Sequence, residues 1–234
     1  MTLAVAHEPV AALAGAGVTA FVTTRQAGTF GTNGTEPVAE VMGRWQALVD
    51  TLGPLGPRLA TAHQVHGVRV VVHHAAWEGW LRVRGADGHV AATGGTALAV
   101  TIADCVPVFI AHPSGVVALL HAGWRGTAGG ILREGLAALE RLGLPAGDLA
   151  LHLGPAICGR CYEVGPDVHR QLTGRDVAGP APVDLRAILA AQAHAAGVRN
   201  VSVSAWCTRC DNDRFYSHRA GDAGRQLAVV IASR

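Results

Sequence analysis

ALAVTIADCVPVFIAH, residues 97–112, and VVALLHAG, residues 116–123, are two continuous apolar runs joined by the breaker Pro113-Ser114-Gly115. Neither alternates apolar with polar residues, so both read as strands buried on their two faces. The tight turn between the runs would deliver Cys105 and His121, near their ends, side by side. Adding His63 or His66 from the HQVH run at 63–66 makes a three-ligand His/Cys metal site with one coordination position left open for chemistry. Asp104 interrupts the first run, and a carboxylate in such a place is either paired with an arginine or functional.

Working outward, VTAFVTT (18–24) reads as a strand, and Glu36 to Leu52 as a helix stopped by Gly53-Pro54. VRVVVHH (68–74) is a β-branched strand, followed by an irregular stretch to Gly95. The 127–142 segment carries Ile131, Leu132, Leu136, Leu139 and Leu142 at helical spacing and reads as one amphipathic helix, with Thr127 helping to cap it. LALHLGPAI (149–157), VSVSAWC (201–207) and QLAVVIA (226–232) read as strands, and Asp184 to Ala196 as a helix N-capped by Asp184. The order of elements predicts a mixed α/β architecture. With no linker composition, low-complexity tract or internal repeat, a single domain over 1–234 is expected.

Composition removes several function classes. The 234 residues are 50% hydrophobic and 15% charged, with a formal net charge of +2, which does not suit a polyanion partner such as nucleic acid. No lysine occurs, so Schiff-base chemistry and a Walker-type phosphate lysine are excluded. Anionic substrate groups must be met by arginine, backbone amides or helix N-termini. The segment MTLAVAHEPVAALAGAG lacks a basic flank and carries His7, Glu8 and Pro9, so it reads as the start of the folded domain rather than a signal. Asp104, His112 and Pro113 break the best membrane-span candidate. A soluble, cytoplasmic protein with reduced cysteines is the expectation.

Cys158-Gly-Arg-Cys161 and Cys207-Thr-Arg-Cys210 form two CxxC pairs. Each has zinc-ribbon spacing, but the separation between them is long for a ribbon. Free thiols are the default reading, with a second, structural zinc as the alternative.

The segments TAHQVHG (61–67), ADCVPVF (103–109), LLHAGWRGT (119–127), GPAICGRCYEVG (154–165) and CTRCDNDRFYSHR (207–219), followed by GRQLAVVI (224–231), resemble in order the motifs of the laccase-domain family. Its members are also called YfiH-type purine nucleoside phosphorylases and, formerly, multicopper polyphenol oxidases. The resemblance implies a layered α/β sandwich with a mixed β-sheet, related to cytotoxic necrotizing factor and YfiH. It implies one catalytic zinc on His63, Cys105 and His121, phosphorolysis of adenosine, inosine, guanosine and methylthioadenosine, and deamination of adenosine. After TTRQAG (23–28), the family's asparagine- and leucine-containing stretch is shortened here to TFGTNGTEP (29–37).

Arg25 and Arg125 are the phosphate candidates, because arginine offers a bidentate fork and Arg125 precedes a predicted helix N-terminus. Asp104 and His66 are candidates for moving protons or holding a ligand imidazole. Phe215 and Arg219 are candidate purine and substrate contacts. Two other chemistries fit the same residues. One is a metal-free hydrolase or amidase, acting for example on a cell-wall precursor, with Cys105 as nucleophile and His121 as base. The other is a copper polyphenol oxidase, less favoured because the repeated His-x-His pairs of such enzymes are missing; the 12 histidines would bind copper only adventitiously.

Overall fold

The computed structural model describes residues 5–32, 34–75 and 77–233. The first four residues of the N-terminal segment, and Asn33 of the shortened stretch, lie outside the described residues. Two six-stranded sheets stack face to face. The first runs β1 (His7–Pro9), β2 (Val18–Thr23), β14 (Gln226–Ala232), β7 (Thr96–Ile102), β3 (Arg58–His63), β5 (Gly79–Arg84). The second runs β13 (Asn200–Val203), β10 (Ala150–Leu153), β8 (Val106–Ala111), β9 (Val117–Ala122), β6 (Gly88–Ala91), β4 (Val70–His73). Both sheets mix parallel and antiparallel pairs. A short ribbon, β11 (Glu163–Val164) with β12 (Ala181–Pro182), stands apart.

Helix α1 (Val38–Leu52) covers the outer face of the first sheet with Val41, Trp45, Leu48 and Leu52, which recur at helical spacing. The outer face of the second sheet is covered by α3 (Ile131–Glu140) and α5 (Leu185–Ala195). Helices α2 (Trp124–Gly129) and α4 (Pro166–Thr173) pack on the same side. The result is an α/β/β/α sandwich with three apolar layers.

These layers explain the unbroken apolar runs. In β7, Leu98 and Val100 enter the layer between the sheets, while Ala97 and Ala99 face α1. In β9, Val117 and Leu119 point between the sheets, while Ala118 and Leu120 meet the helices. Side chains still alternate with period two, but both destinations are apolar. Each such fully buried Leu or Val contributes roughly 1.5–3 kcal/mol.

Several expectations change. The 97–112 run is two strands in different sheets, because the chain turns at Ala103–Cys105 with Asp104 in the left-handed region at φ 81°. Asp tolerates that region better than most residues. The segment from 75 to Gly95, expected to be irregular, carries β5 and β6. The single helix over 127–142 is two helices, broken at Gly130 with φ 91°. Thr127 is buried within α2 and caps nothing. The Asp184 cap is present, its carboxylate accepting from the Arg186 and Ala187 amides at 2.9 and 3.1 Å. The strand after Asn200 stops at Val203, and Cys207 makes only an isolated bridge to Ala156. Among the described residues no helix is long and apolar enough to cross a membrane.

Candidate metal centre and substrate cavity

The ends of β3, β7 and β9 and the start of β8 open on one cavity of about 1100 Å³. Antiparallel pairing of β8 with β9 sets Val106 opposite Ala122, so Cys105 comes to lie beside Gly123. A Cβ on Gly123 would lie 3.0 Å from Cys105 Sγ and 3.1 Å from His66 Cδ2, so only glycine leaves both donors in position. The donor atoms of His66, Cys105 and His121 lie within 4.8 Å of one another.

His63 is not in this group. It ends β3, exposed on the wall of the same cavity, and His66 occupies the third position that the family resemblance had given to His63. The reason is local. His66 has φ 59°, a left-handed turn that brings its ring to 4.8 Å, centroid to centroid, from that of His121.

Asp87 builds the turn, and sequence reading missed it. Fully buried between β5 and β6, its carboxylate accepts hydrogen bonds from the backbone amides of Val65, His66 and Gly67 at 3.2, 2.9 and 2.7 Å. The same carboxylate lies 2.9 Å from His121 Nδ1, which leaves Nε2 for the thiol or a metal. One group thus aims both imidazoles. Burial alone would raise the Asp87 pKa, but the His121 contact and the amides hold it below the ordinary carboxylate value. A charge buried without such partners would be prohibitive, which is the only sequence signal that Asp87 offered.

Burial likewise opposes ionisation of the Cys105 thiol, yet the neighbouring His121 and His66 bring it down to about 6. His121, buried but flanked by Cys105 and Asp87, is pushed up. Their mutual attraction favours a thiolate beside an imidazolium, and a metal binding there would displace the imidazolium proton to a base or to water.

The remaining candidates separate clearly. Both oxygens of Asp104 are occupied, accepting from Thr208 Oγ1 at 2.6 Å and from the Arg219 amide at 2.7 Å. Asp104 thereby pins the turn preceding Cys105 to the 207–219 segment. Arg25 donates to Asp222 at 2.7 Å and to the Asn212 carbonyl at 2.9 Å, and packs 4.4 Å over Tyr216. It is a structural ion-pair residue and does not line the cavity. Phe215 is fully buried in the layer between the sheets, so it is core and no purine platform. Arg125 and Arg219 both line the cavity, stacked over Trp124 and Tyr162 respectively. Aromatic surface comes instead from Trp80, half-buried on the wall, which stacks on Trp45 at 4.8 Å.

The two CxxC pairs, separated by nearly fifty residues, also converge: the sulfurs of Cys158, Cys161, Cys207 and Cys210 all lie within 4.8 Å of one another.

Sheet, helices and donors together define a four-layer α/β protein with a His/Cys/His centre at the bottom of a mixed aromatic and basic cavity. The chain belongs to the family described as multi-copper polyphenol oxidoreductase laccase, whose model matches residues 20–233. It is 38% identical over 207 residues to a purine nucleoside phosphorylase of Deinococcus radiodurans, covering 83% of this chain and 77% of that one. A purine nucleoside phosphorylase of Streptomyces coelicolor is 36% identical over 208 residues, covering 86% of this chain and 85% of the relative. Among solved structures, YlmD from Geobacillus stearothermophilus superposes with a TM-score of 0.90 at 29% identity, over 100% of this chain and 98% of that one.

Proposed function

We propose that this chain is a cytoplasmic, zinc-dependent purine nucleoside phosphorylase, taking adenosine, inosine, guanosine and methylthioadenosine with phosphate, and that it also deaminates adenosine. The observation that carries the reading is the convergence of His66, Cys105 and His121 on a cavity with aromatic and arginine walls. The names of the relatives support the purine and phosphate part.

The donor set fits zinc: two imidazoles and one thiolate leave a tetrahedral position open, and Asp87 fixes the tautomer of His121. Bound zinc would supply Lewis acidity to the reacting centre. The chain's own residues do the rest. Trp80 offers stacking surface to the purine, a role first sought in Phe215. Arg125, with Arg219 beside it on the wall, holds the phosphate by charge-assisted bonds; Arg25 is committed elsewhere. His63 lines the same wall, which supports it as the group that moves a proton to or from the leaving purine, the part earlier sought in Asp104 or His66.

Incubating zinc-loaded protein with adenosine and phosphate tests this directly. Adenine with ribose 1-phosphate reports phosphorolysis and inosine reports deamination; the absence of both products rejects the purine reading.

A second reading has one observation behind it. Asp87, His121 and Cys105 also form the orienter, base and nucleophile of a thiol hydrolase, and Cys105 ionises near 6. A hydrolase of that kind survives chelation and is killed by alkylation, whereas the zinc enzyme is killed by chelation.

A further inference from the structure

We propose that Cys158, Cys161, Cys207 and Cys210 form a second metal centre, a closed tetrathiolate zinc site that clamps the 158–161 turn to the 207–210 turn. The separation in sequence that argued against a ribbon is removed by the sheet. Strands β10 and β13 run parallel with Leu153 opposite Val203, and the Ala156–Cys207 bridge extends the pairing to the first cysteine of the second turn. Each CxxC then folds back under its own hydrogen bonds, Cys161 N to the Cys158 carbonyl at 2.9 Å and Asp211 N to the Cys207 carbonyl at 2.8 Å.

The cluster has the geometry of a metal site. A tetrahedron with Zn–S bonds of about 2.3 Å has S···S edges of about 3.8 Å. All four sulfurs fall within 4.8 Å of one another, and Cys161 Sγ lies 3.5 Å from Cys210 Sγ. The backbone amides of Cys158 and Cys210 donate to Cys207 Sγ at 3.3 and 3.4 Å, contacts that stabilise a thiolate. Arg209, which precedes the second cysteine of its pair, donates to the Cys161 carbonyl at 3.2 Å and ties one turn to the other. Among the described residues no imidazole or carboxylate joins the group, and soft sulfur in closed fourfold coordination suits zinc in a structural role.

The clamp reaches the other centre. Thr208 sits between Cys207 and Cys210 and donates to Asp104, the neighbour of Cys105. Arg219, a few residues on, holds the other oxygen of Asp104. A metal at the four cysteines therefore fixes the segment that pins the Cys105 turn.

Metal analysis of purified protein decides the matter independently of any catalytic assay. The expected content is two zinc ions per chain in the wild type and one in Cys105→Ala, whose cobalt-substituted form should show the intense charge-transfer bands of a tetrathiolate. A Cys161→Ser/Cys210→Ser protein should also hold one, and if that protein does not fold, the Cys105→Ala arm stands alone. Chelation of Cys105→Ala should lower its thermal midpoint. A Cys105→Ala protein that binds no metal, with its cysteines either all titratable as thiols or joined as disulfides by mass, overturns the proposal. So does iron in place of zinc.

Discussion

Asp87 has large leverage on the centre, because its carboxylate is shared by three amides and an imidazole. Asp87→Asn removes the charge and turns an amide group toward donors that it cannot satisfy. Metal affinity at the His66/Cys105/His121 centre should fall roughly 10–100-fold, read by competition with a chromogenic chelator. Unchanged affinity would show that the histidines hold their positions without it. Thr208→Val offers a test on the opposite side of the cavity. It leaves one oxygen of buried Asp104 without its donor and should cost about 1–3 kcal/mol in denaturant unfolding; a loss within error would mean that water replaces the hydroxyl.

At the scale of elements, the starts of β3 and β7 are locked by the approach of two glycines. A Cβ on Gly56 would lie 2.3 Å from the Cα and carbonyl oxygen of Gly95, and backbone cannot swing aside as a side chain can. Gly56→Ala should therefore destabilise by about 3 kcal/mol, with a lowered denaturant midpoint as the readout. Gly53→Ala, whose Cβ would meet its nearest neighbour at 3.4 Å, serves as the mild control.

Elements also show which parts of the molecule were legible beforehand. The apolar runs that hold β7, β8 and β9 announced themselves by composition, although β7 and β8 read as one strand, and Cys105 and His121 followed from the turn between β8 and β9. The choice between His66 and His63 was not legible, since both belong to one short run and the decision is made by a left-handed turn built from Asp87, some twenty residues away. Edge strand β5 escaped notice because Leu81 and Arg82 are exposed, and β6 because four residues after Gly-Ala-Asp carry little pattern. Arg25 looked available for phosphate because its partner, Asp222, lies at the far end of the chain.

For the whole molecule, buried histidines set the response to acid. His89 is fully buried, its Nδ1 2.9 Å from His73 Nε2, and burial takes its pKa down from 6.5 to about 3. Burial also lowers His73, with His74 adding repulsion, and takes His152 down to about 4, with Arg186 contributing. Each stays neutral in the folded state while its unfolded counterpart takes up a proton. The part of stability that these three histidines govern is thus undiminished above pH 6.5 and is lost as pH falls from there toward the folded values. Thermal midpoints should decline steadily from pH 6.5 to 4, and His89→Leu should flatten that slope. A midpoint that is level over the interval would refute the assignment.

The crossing of the chain at Ala103–Cys105 has one more consequence. It splits authorship of the cavity: Trp45 and Trp80 belong to α1 and the first sheet, whereas Cys105 and His121 are carried by the second. A substitution at Trp80 leaves Cys105 and His121, carried by the other sheet, with their own contacts. Selection can therefore revise which molecule enters while leaving untouched the centre that acts on it.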